Sequence, residues 1–355
     1  MNKISPFQLA ALMLCGRCVA IMSYSPYEIT NPMILIIATL ISSAIQFAMI
    51  MPIMFFRQKF PTDSPCTLAF SKNRISGVII TLLYLLFFMA SAFLILGDFV
   101  YLMDFYLANF LPRFSIVAIM TFSAFYIAKM NVSVFGKSAC FVLAGFIIFT
   151  IIIVFSSGIE FHTENFYTAD RDFRNSVLTE IKNELARNRM LVLFVFLLPD
   201  LKGSAAKCGF TYLAVKLVIV EVVLSFIVMI LGDFVMISKL PFFYLAAYSK
   251  TQIVERYDSV FMSIWIIMSL LKISAYFHCS GKCLKMIIPK VSKIWSIIIT
   301  GTISAGASLV LLLQHRWEKL SHYSGNALYL TLLVTMIPLI MLFLRKEQNR
   351  ANEKS

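Results

Sequence analysis

Charged side chains are scarce in this sequence. Only 14% of its 355 residues are Asp, Glu, Lys or Arg, where an ordinary globular domain carries about a quarter. That is too little polar surface to cover a water-soluble fold of this length. Enzyme signatures are missing as well. There is no Gly-x-Ser-x-Gly turn, no phosphate-cradling glycine loop and no HExxH pair, so no catalytic residue is assigned. His162, His315 and His322 share no ligand spacing, and neither a metal nor another cofactor is expected.

What fills the chain instead is apolar. Hydrophobic residues make up 60% of it, and the mean hydropathy is +0.85. A helix crossing about 30 Å of hydrocarbon needs about 20 mostly apolar residues. Such runs recur at 7–24, 31–55, 76–103, 113–130, 133–157, 176–199, 209–231, 258–283, 292–313 and 324–344. They are continuous runs and not ten-residue alternations, which argues against a β-barrel. The chain therefore reads as an all-α membrane protein with about ten transmembrane helices, and membrane lipid is its first partner. The opening run is a retained helix, since no small-residue cleavage site precedes Pro26. Ser5 as N-cap, Pro6 at the first position and Gln8 closing a Ser-x-x-Gln box mark its start.

The net charge of +13 could suggest nucleic acid, but its placement does not. With the N-terminus inside, 17 Lys and Arg fall on the inner side against 11 outside, while 4 acids lie inside and 12 outside. This is the positive-inside asymmetry, and it predicts both termini in the cytoplasm. On this topology none of the seven cysteines falls in an outer loop, so no disulfide framework is implied. Cys15/Cys18 and Cys279/Cys283 beside His278 have suggestive spacings, but small polarizable thiols commonly pack in helices.

Ten spans divide five and five. The expected units are 1–157, an outer loop at 158–175, a second set of spans at 176–344 and a cytoplasmic tail at 345–355. Transporters built from inverted repeats place their binding site where corresponding spans of the two halves are interrupted. The first span of half one is interrupted by Gly16-Arg17. The first span of half two has an apolar run, Met190–Leu198, too short to cross alone. An amphipathic stretch, Ser176–Arg187, precedes it, with Val177, Leu178, Ile181 and Leu185 at helical spacing; Asn188 and Arg189 lie between the two pieces. Breaks at equivalent places, each with an arginine, are the most informative pattern in the chain.

Short stretches spread along the sequence also resemble the spore germination permease family. They are Lys3-Ile4-Ser5-Pro6 with Gln8-Leu9, Leu82-Leu83-Tyr84 with Gly97-Asp98-Phe99, Leu197-Leu198-Pro199, and Arg256-Tyr257-Asp258 leading to Phe261, Trp265 and Lys272-Ile273-Ser274. The family comprises the membrane-embedded B subunits of nutrient germinant receptors, within the amino acid–polyamine–organocation superfamily. The resemblance implies a LeuT-like five-plus-five fold and a small nutrient ligand such as an amino acid. It also implies partner A and C subunits and residence in the inner spore membrane. A proton-coupled amino acid transporter is the alternative. Two stretches depart from the family: Gly16-Arg17 stands at a break that is usually small residues throughout. Leu185-Ala186-Arg187-Asn188-Arg189 stands where an apolar–Pro–apolar–Gly–Glu run is usual.

A charge at the bilayer centre costs about 2.5–3.5 kcal/mol on insertion scales, so each one needs an explanation. Ligand-binding candidates are Gly16, Arg17, Asp98, Asn188 and Arg189. Arg17 either clamps a carboxylate with its planar fork or pairs with an acid such as Asp98. Asp98 either neutralises Arg17, binds an ammonium or is wetted at the interface. The resemblance implies that Lys272, with Ser274, braces the core as a substitute for a sodium ion. Glu221 either hydrogen-bonds a neighbouring helix or relays protons. Lys216, five residues before Glu221, is too far around the helix to pair with it and is expected to snorkel inward. Gly301, Ala305 and Gly306 form a small-residue face for close helix contact, and Trp295, Trp317 and Tyr323 suit an interfacial belt.

Overall fold

The computed structural model describes residues 3–23, 32–106, 111–156, 161–166, 173–232, 234–238, 240–249, 257–314 and 327–343. The helices in chain order are α1 Pro6–Met22, α2 Pro32–Lys59, α3 Pro65–Lys72, α4 Arg74–Tyr106, α5 Arg113–Ala128 and α6 Val132–Val154. There follow α7 Phe173–Arg187, α8 Met190–Phe196, α9 Ala205–Leu231, α10 Phe234–Ile237, α11 Pro241–Tyr248, α12 Asp258–Ile287 and α13 Lys293–Leu313. The last is α14, Ala327–Phe343, with a π-turn at Leu332–Met336.

By length and composition six of these can cross a membrane: α2, α4, α6, α9, α12 and α13. Three shorter apolar helices, α1, α5 and α14, and the α7–α8 pair account for the other predicted spans. Phe141, Phe155 and Leu328 are more than four-fifths exposed, as lipid-facing side chains should be when the solvent is hydrocarbon.

Helix starts follow local chemistry. Gln8 N–H donates to Ser5 Oγ at 3.2 Å and Ser5 N–H to Gln8 Oε1 at 3.1 Å, the reciprocal box expected for α1. Ser64 and Thr67 build a second box ahead of Pro65 at α3, and Ser204 and Ser292 cap α9 and α13. The helix α12 is the most enclosed of the six long spans and lies against α1, α4, α5, α6 and α13. Helix α1 lies against α6, α9 and α12, and α2 against α7 and α9.

At one end of the bundle the segment before α1 is tied to the end of the sixth span. Ile4 and Leu201 form an isolated parallel bridge, with Ile4 N–H to Asp200 O at 2.9 Å and Lys202 N–H to Ile4 O at 2.8 Å. Asp200 also pairs with Lys282 of α12 at 2.5 Å. The Arg57 guanidinium donates to Leu201 O at 3.0 Å.

Several expectations need correction. Helix α1 runs unbroken through Gly16-Arg17. Gly16 is there for close approach, because a Cβ would lie 2.5 Å from the Met190 sulfur of α8. Leu178 is about half exposed, so it leaves the face shared by Val177 and Ile181. Gly301 receives the Phe125 ring, but a Cβ at Gly306 would meet nothing within 4 Å, so the small-residue face stops short of it. Trp295 is largely exposed. Trp317, Tyr323, His315, His322 and the tail 345–355 lie outside the described residues.

Candidate ligand site at the sixth-span break

The break in the sixth span is present. Helix α7 ends at Arg187 and α8 begins at Met190, only seven residues long. Between them the backbone tightens: Asn188 N–H bonds Leu185 O, and Leu191 N–H bonds Asn188 O, both at 3.2 Å and three residues apart. The two residues of the break join different side-chain clusters.

Asn188 belongs to a connected network, in which Arg17 Nε and Gln46 Nε2 have no hydrogen-bond partner among the described residues. Its Nδ2 donates to Gln46 Oε1 at 2.6 Å, and the Tyr212 hydroxyl donates to its Oδ1. The Lys216 ammonium lies among three oxygens, Ser43 Oγ at 3.0 Å, Gln46 Oε1 at 3.1 Å and Glu184 Oε1 at 3.2 Å. Glu184 in turn receives one Arg17 guanidinium nitrogen at 2.8 and 2.6 Å on its two oxygens. Every member is buried. The network ties α1, α2, α7 and α9 to the break. Beside it, Glu180 pairs with Arg187 and accepts from Asn183 at 3.1 Å. A cleft lined by Arg17, Glu180, Glu184 and Arg187 and by Ile21, Leu35, Thr39, Val220 and Leu224 opens there.

Arg17 is thus neutralised by Glu184 and not by Asp98. Lys216 does not snorkel to an interface; its side chain is fully enclosed and salt-bridged to Glu184. Sequence reasoning passed over Glu184, Gln46, Ser43 and Tyr212. The signal for Glu184 was available, because Val177, Glu180, Ile181 and Glu184 are all buried at the spacing of one helical stripe. Two acids on the inward stripe of an amphipathic helix demand cationic partners.

Arg189 belongs to the second cluster. It is partly buried, in electrostatic range of Asp98 on α4 and Tyr276 on α12. Lys272, also on α12, interacts with Arg189, Arg17 and Asp98. Three predicted residues, Asp98, Arg189 and Lys272, are therefore electrostatic neighbours, Arg189 lying at the break itself. The Tyr276 hydroxyl reaches Met190 Sδ at 3.5 Å. Ser274 donates to Leu270 O of its own helix at 2.7 Å, so it does not hold Lys272. The lysine held between helices by oxygens is Lys216. Glu221 is partly buried, and its Oε1 has no hydrogen-bond partner among the described residues. It is in electrostatic range of Glu184 and Lys216.

Apolar spans around a buried, interrupted helix define a multi-pass, permease-like membrane protein. The chain belongs to the spore germination protein family, whose model matches residues 7–315. No curated protein matches it in sequence. In fold it is similar to a Na+-coupled sialic acid symporter in a substrate-bound outward-open state, at 13% identity over 92% of this chain and 78% of that one, TM-score 0.63. It is also similar to a variant of the Eremococcus coleocola manganese transporter, at 13% identity over 95% and 75%, TM-score 0.54. The same transporter bound to an aromatic bis-isothiourea compound gives 12% identity, 95% and 75% coverage and TM-score 0.55. At such identities the likeness is one of fold, the LeuT-type transporter fold. The family and these neighbours are permeases and transporters, not enzymes.

Proposed function

We propose that this chain is the membrane-embedded subunit of a nutrient germinant receptor, binding a small nutrient of the amino acid class at the Asn188-Arg189 break. The observation that supports this most is an interrupted span whose Arg189 is an electrostatic neighbour of Lys272 and Asp98, in a chain of the spore germination family. Gly16 and Arg17 take part by seating Met190 and holding Glu184. Spans one to five (1–157) and six to ten (176–344) act as two repeats that close around the ligand. Closure is passed to A and C subunits in the inner spore membrane, and both termini face the cytoplasm.

The second reading is a proton-coupled amino acid transporter, with Glu221 or Lys272 as the coupling group. The unpartnered Glu221 Oε1 favours it. Purified chain in proteoliposomes separates the two when offered radiolabelled amino acids across an imposed pH gradient. Saturable binding without accumulation is the receptor outcome, and gradient-driven accumulation overturns it. Reporter tags at Ser355 and within 158–170 are expected on opposite faces, and a same-side result breaks the ten-span topology.

A further inference from the structure

The network on the Asn188 side leaves two polar groups unmet among the described residues, Arg17 Nε and Gln46 Nε2, and both are donors. Arg17 is only 3% exposed. Its contact with Glu184 is made by one nitrogen alone, which reaches both carboxylate oxygens at 2.8 and 2.6 Å. The guanidinium fork is thus used end-on, and the Nε–H on its side is left over. A buried donor without an acceptor bears its full desolvation cost, so the arrangement asks for an acceptor.

Arg17 lines the cleft beside α7, together with Glu184 and the Glu180–Arg187 pair. The apolar wall is Ile21, Leu35, Val220 and Leu224. Ile21 lies at the end of α1, Leu35 at the start of α2 and Leu224 in the last third of α9. The cleft therefore opens toward the end of the bundle that the proposed topology places outside. As it stands it has room for about one water-sized group.

Charge gives the sign of the occupant. One carboxylate, Glu184, serves two buried cations, Arg17 and Lys216, so the three carry one positive charge in excess. Glu221 is in electrostatic range of Glu184 and Lys216 but does not line the cleft. Of the four charged side chains that do, Arg187 is the most exposed, at 26%, which puts the mouth on its side.

We propose that this cleft takes the carboxylate of a small aliphatic molecule, which accepts from Arg17 Nε while its apolar body lies against Ile21, Leu35, Val220 and Leu224. The inference rests on the nutrient-binding reading for the occupant's being an amino acid, and adds the group that holds its carboxylate. The break after Arg187 lets α7 shift against α2 and α9 without carrying α8, which is how the cleft widens around the body.

The test uses the full chain in nanodiscs, followed by thermal unfolding and equilibrium binding at fixed ionic strength. The probes are L-valine, isovalerate, which lacks the ammonium, and L-valinamide, which lacks the carboxylate. The variants are Arg17→Lys, which keeps a cation opposite Glu184 but removes the Nε–H, and Leu224→Trp, which fills the cleft. L-Valine and isovalerate should bind the parent and raise its unfolding temperature, and L-valinamide should do neither. Arg17→Lys should weaken both carboxylates by about tenfold or more, the loss of one charge-assisted hydrogen bond. Its probe-free unfolding temperature should stay close to the parent's. Leu224→Trp should abolish binding with Arg17 still in place.

Carboxylate binding unchanged in both variants overturns the cleft, and the nutrient reading then stands without it. L-Valinamide binding as tightly as L-valine does the same. If Arg17→Lys unfolds too readily to assay, retained binding in Leu224→Trp overturns the proposal and lost binding supports it. Isovalerate binding where L-valine does not supports the cleft and overturns the amino acid reading. No binding by any probe overturns the cleft, and the nutrient reading falls with it only if the proteoliposome assay with radiolabelled amino acids is also blank.

Discussion

The two residues of the break open onto different polar clusters. On the Asn188 side, Arg17, Glu184, Lys216, Gln46, Ser43 and Tyr212 are joined by contacts that link four helices, with Arg17 Nε and Gln46 Nε2 left without a partner among the described residues. On the Arg189 side, Lys272 lies in electrostatic range of Arg189, Arg17 and the Asp98 carboxylate. A buried network that is closed rigidifies a core, and one that is left open is a place where something else must bind or move. The sequence cannot distinguish them by residue type, since both hold lysine, arginine and a carboxylate. The difference lies in which oxygens the fold brings within 3.2 Å.

The largest effect is expected from breaking the connected cluster at its anion. Glu184→Ala leaves Arg17 and Lys216 buried against each other without a counter-charge, a change of the kind that costs about 3–5 kcal/mol. Arg17→Ala should cost less, about 1–3 kcal/mol, because Glu184 retains Lys216 at 3.2 Å. Unfolding in mild detergent, followed by tryptophan fluorescence, ranks the two. If Arg17→Ala proves as harmful as Glu184→Ala, the cluster is not built around the carboxylate.

A steric change sharpens the comparison from the backbone side. Gly16→Ala puts a methyl group where the Met190 sulfur would stand 2.5 Å away, and overpacking of this kind costs about 1–3 kcal/mol. Met190→Ala removes the obstructing atoms, so the double variant should recover much of the loss. A double variant no better than the sum of the singles would mean that α1 and α8 do not press together at Gly16.

The helices were legible because each rests on local information. Each of the ten apolar runs is helical, six of them in helices long and apolar enough to cross a membrane, the Ser5-Pro6-Gln8 start is capped as its residues require, and the short run Met190–Leu198 did prove to be a separate piece. The first-span break was misjudged because Gly16-Arg17 has two physical uses, loosening a helix or allowing a close neighbour with a paired charge. Only the position of Met190 and Glu184 decides between them. Asp98, Arg189 and Lys272 could be picked out as intramembrane charges. That they are electrostatic neighbours although 91 and 83 residues apart in sequence is a property of the assembled bundle. Glu184 was hidden by its segment's overall polarity, although its helical stripe pointed inward.

The smallest expected effect compares one hydroxyl on each side of the break. The Tyr212 hydroxyl donates to Asn188 Oδ1 inside the connected cluster, and Tyr212→Phe should lower stability by about 0.5–1.5 kcal/mol, the net worth of one buried hydrogen bond. The Tyr276 hydroxyl reaches a thioether, Met190 Sδ, at 3.5 Å, a weak acceptor, and shares a side-chain hydrogen bond with Ser91. Tyr276→Phe should change stability no more than Tyr212→Phe, while altering the surroundings of Arg189, with which that hydroxyl interacts. Should Tyr276→Phe lose more stability, both faces of the break are structural. A larger loss of ligand response in Tyr276→Phe, at smaller thermal cost, is what an open, ligand-facing cluster requires.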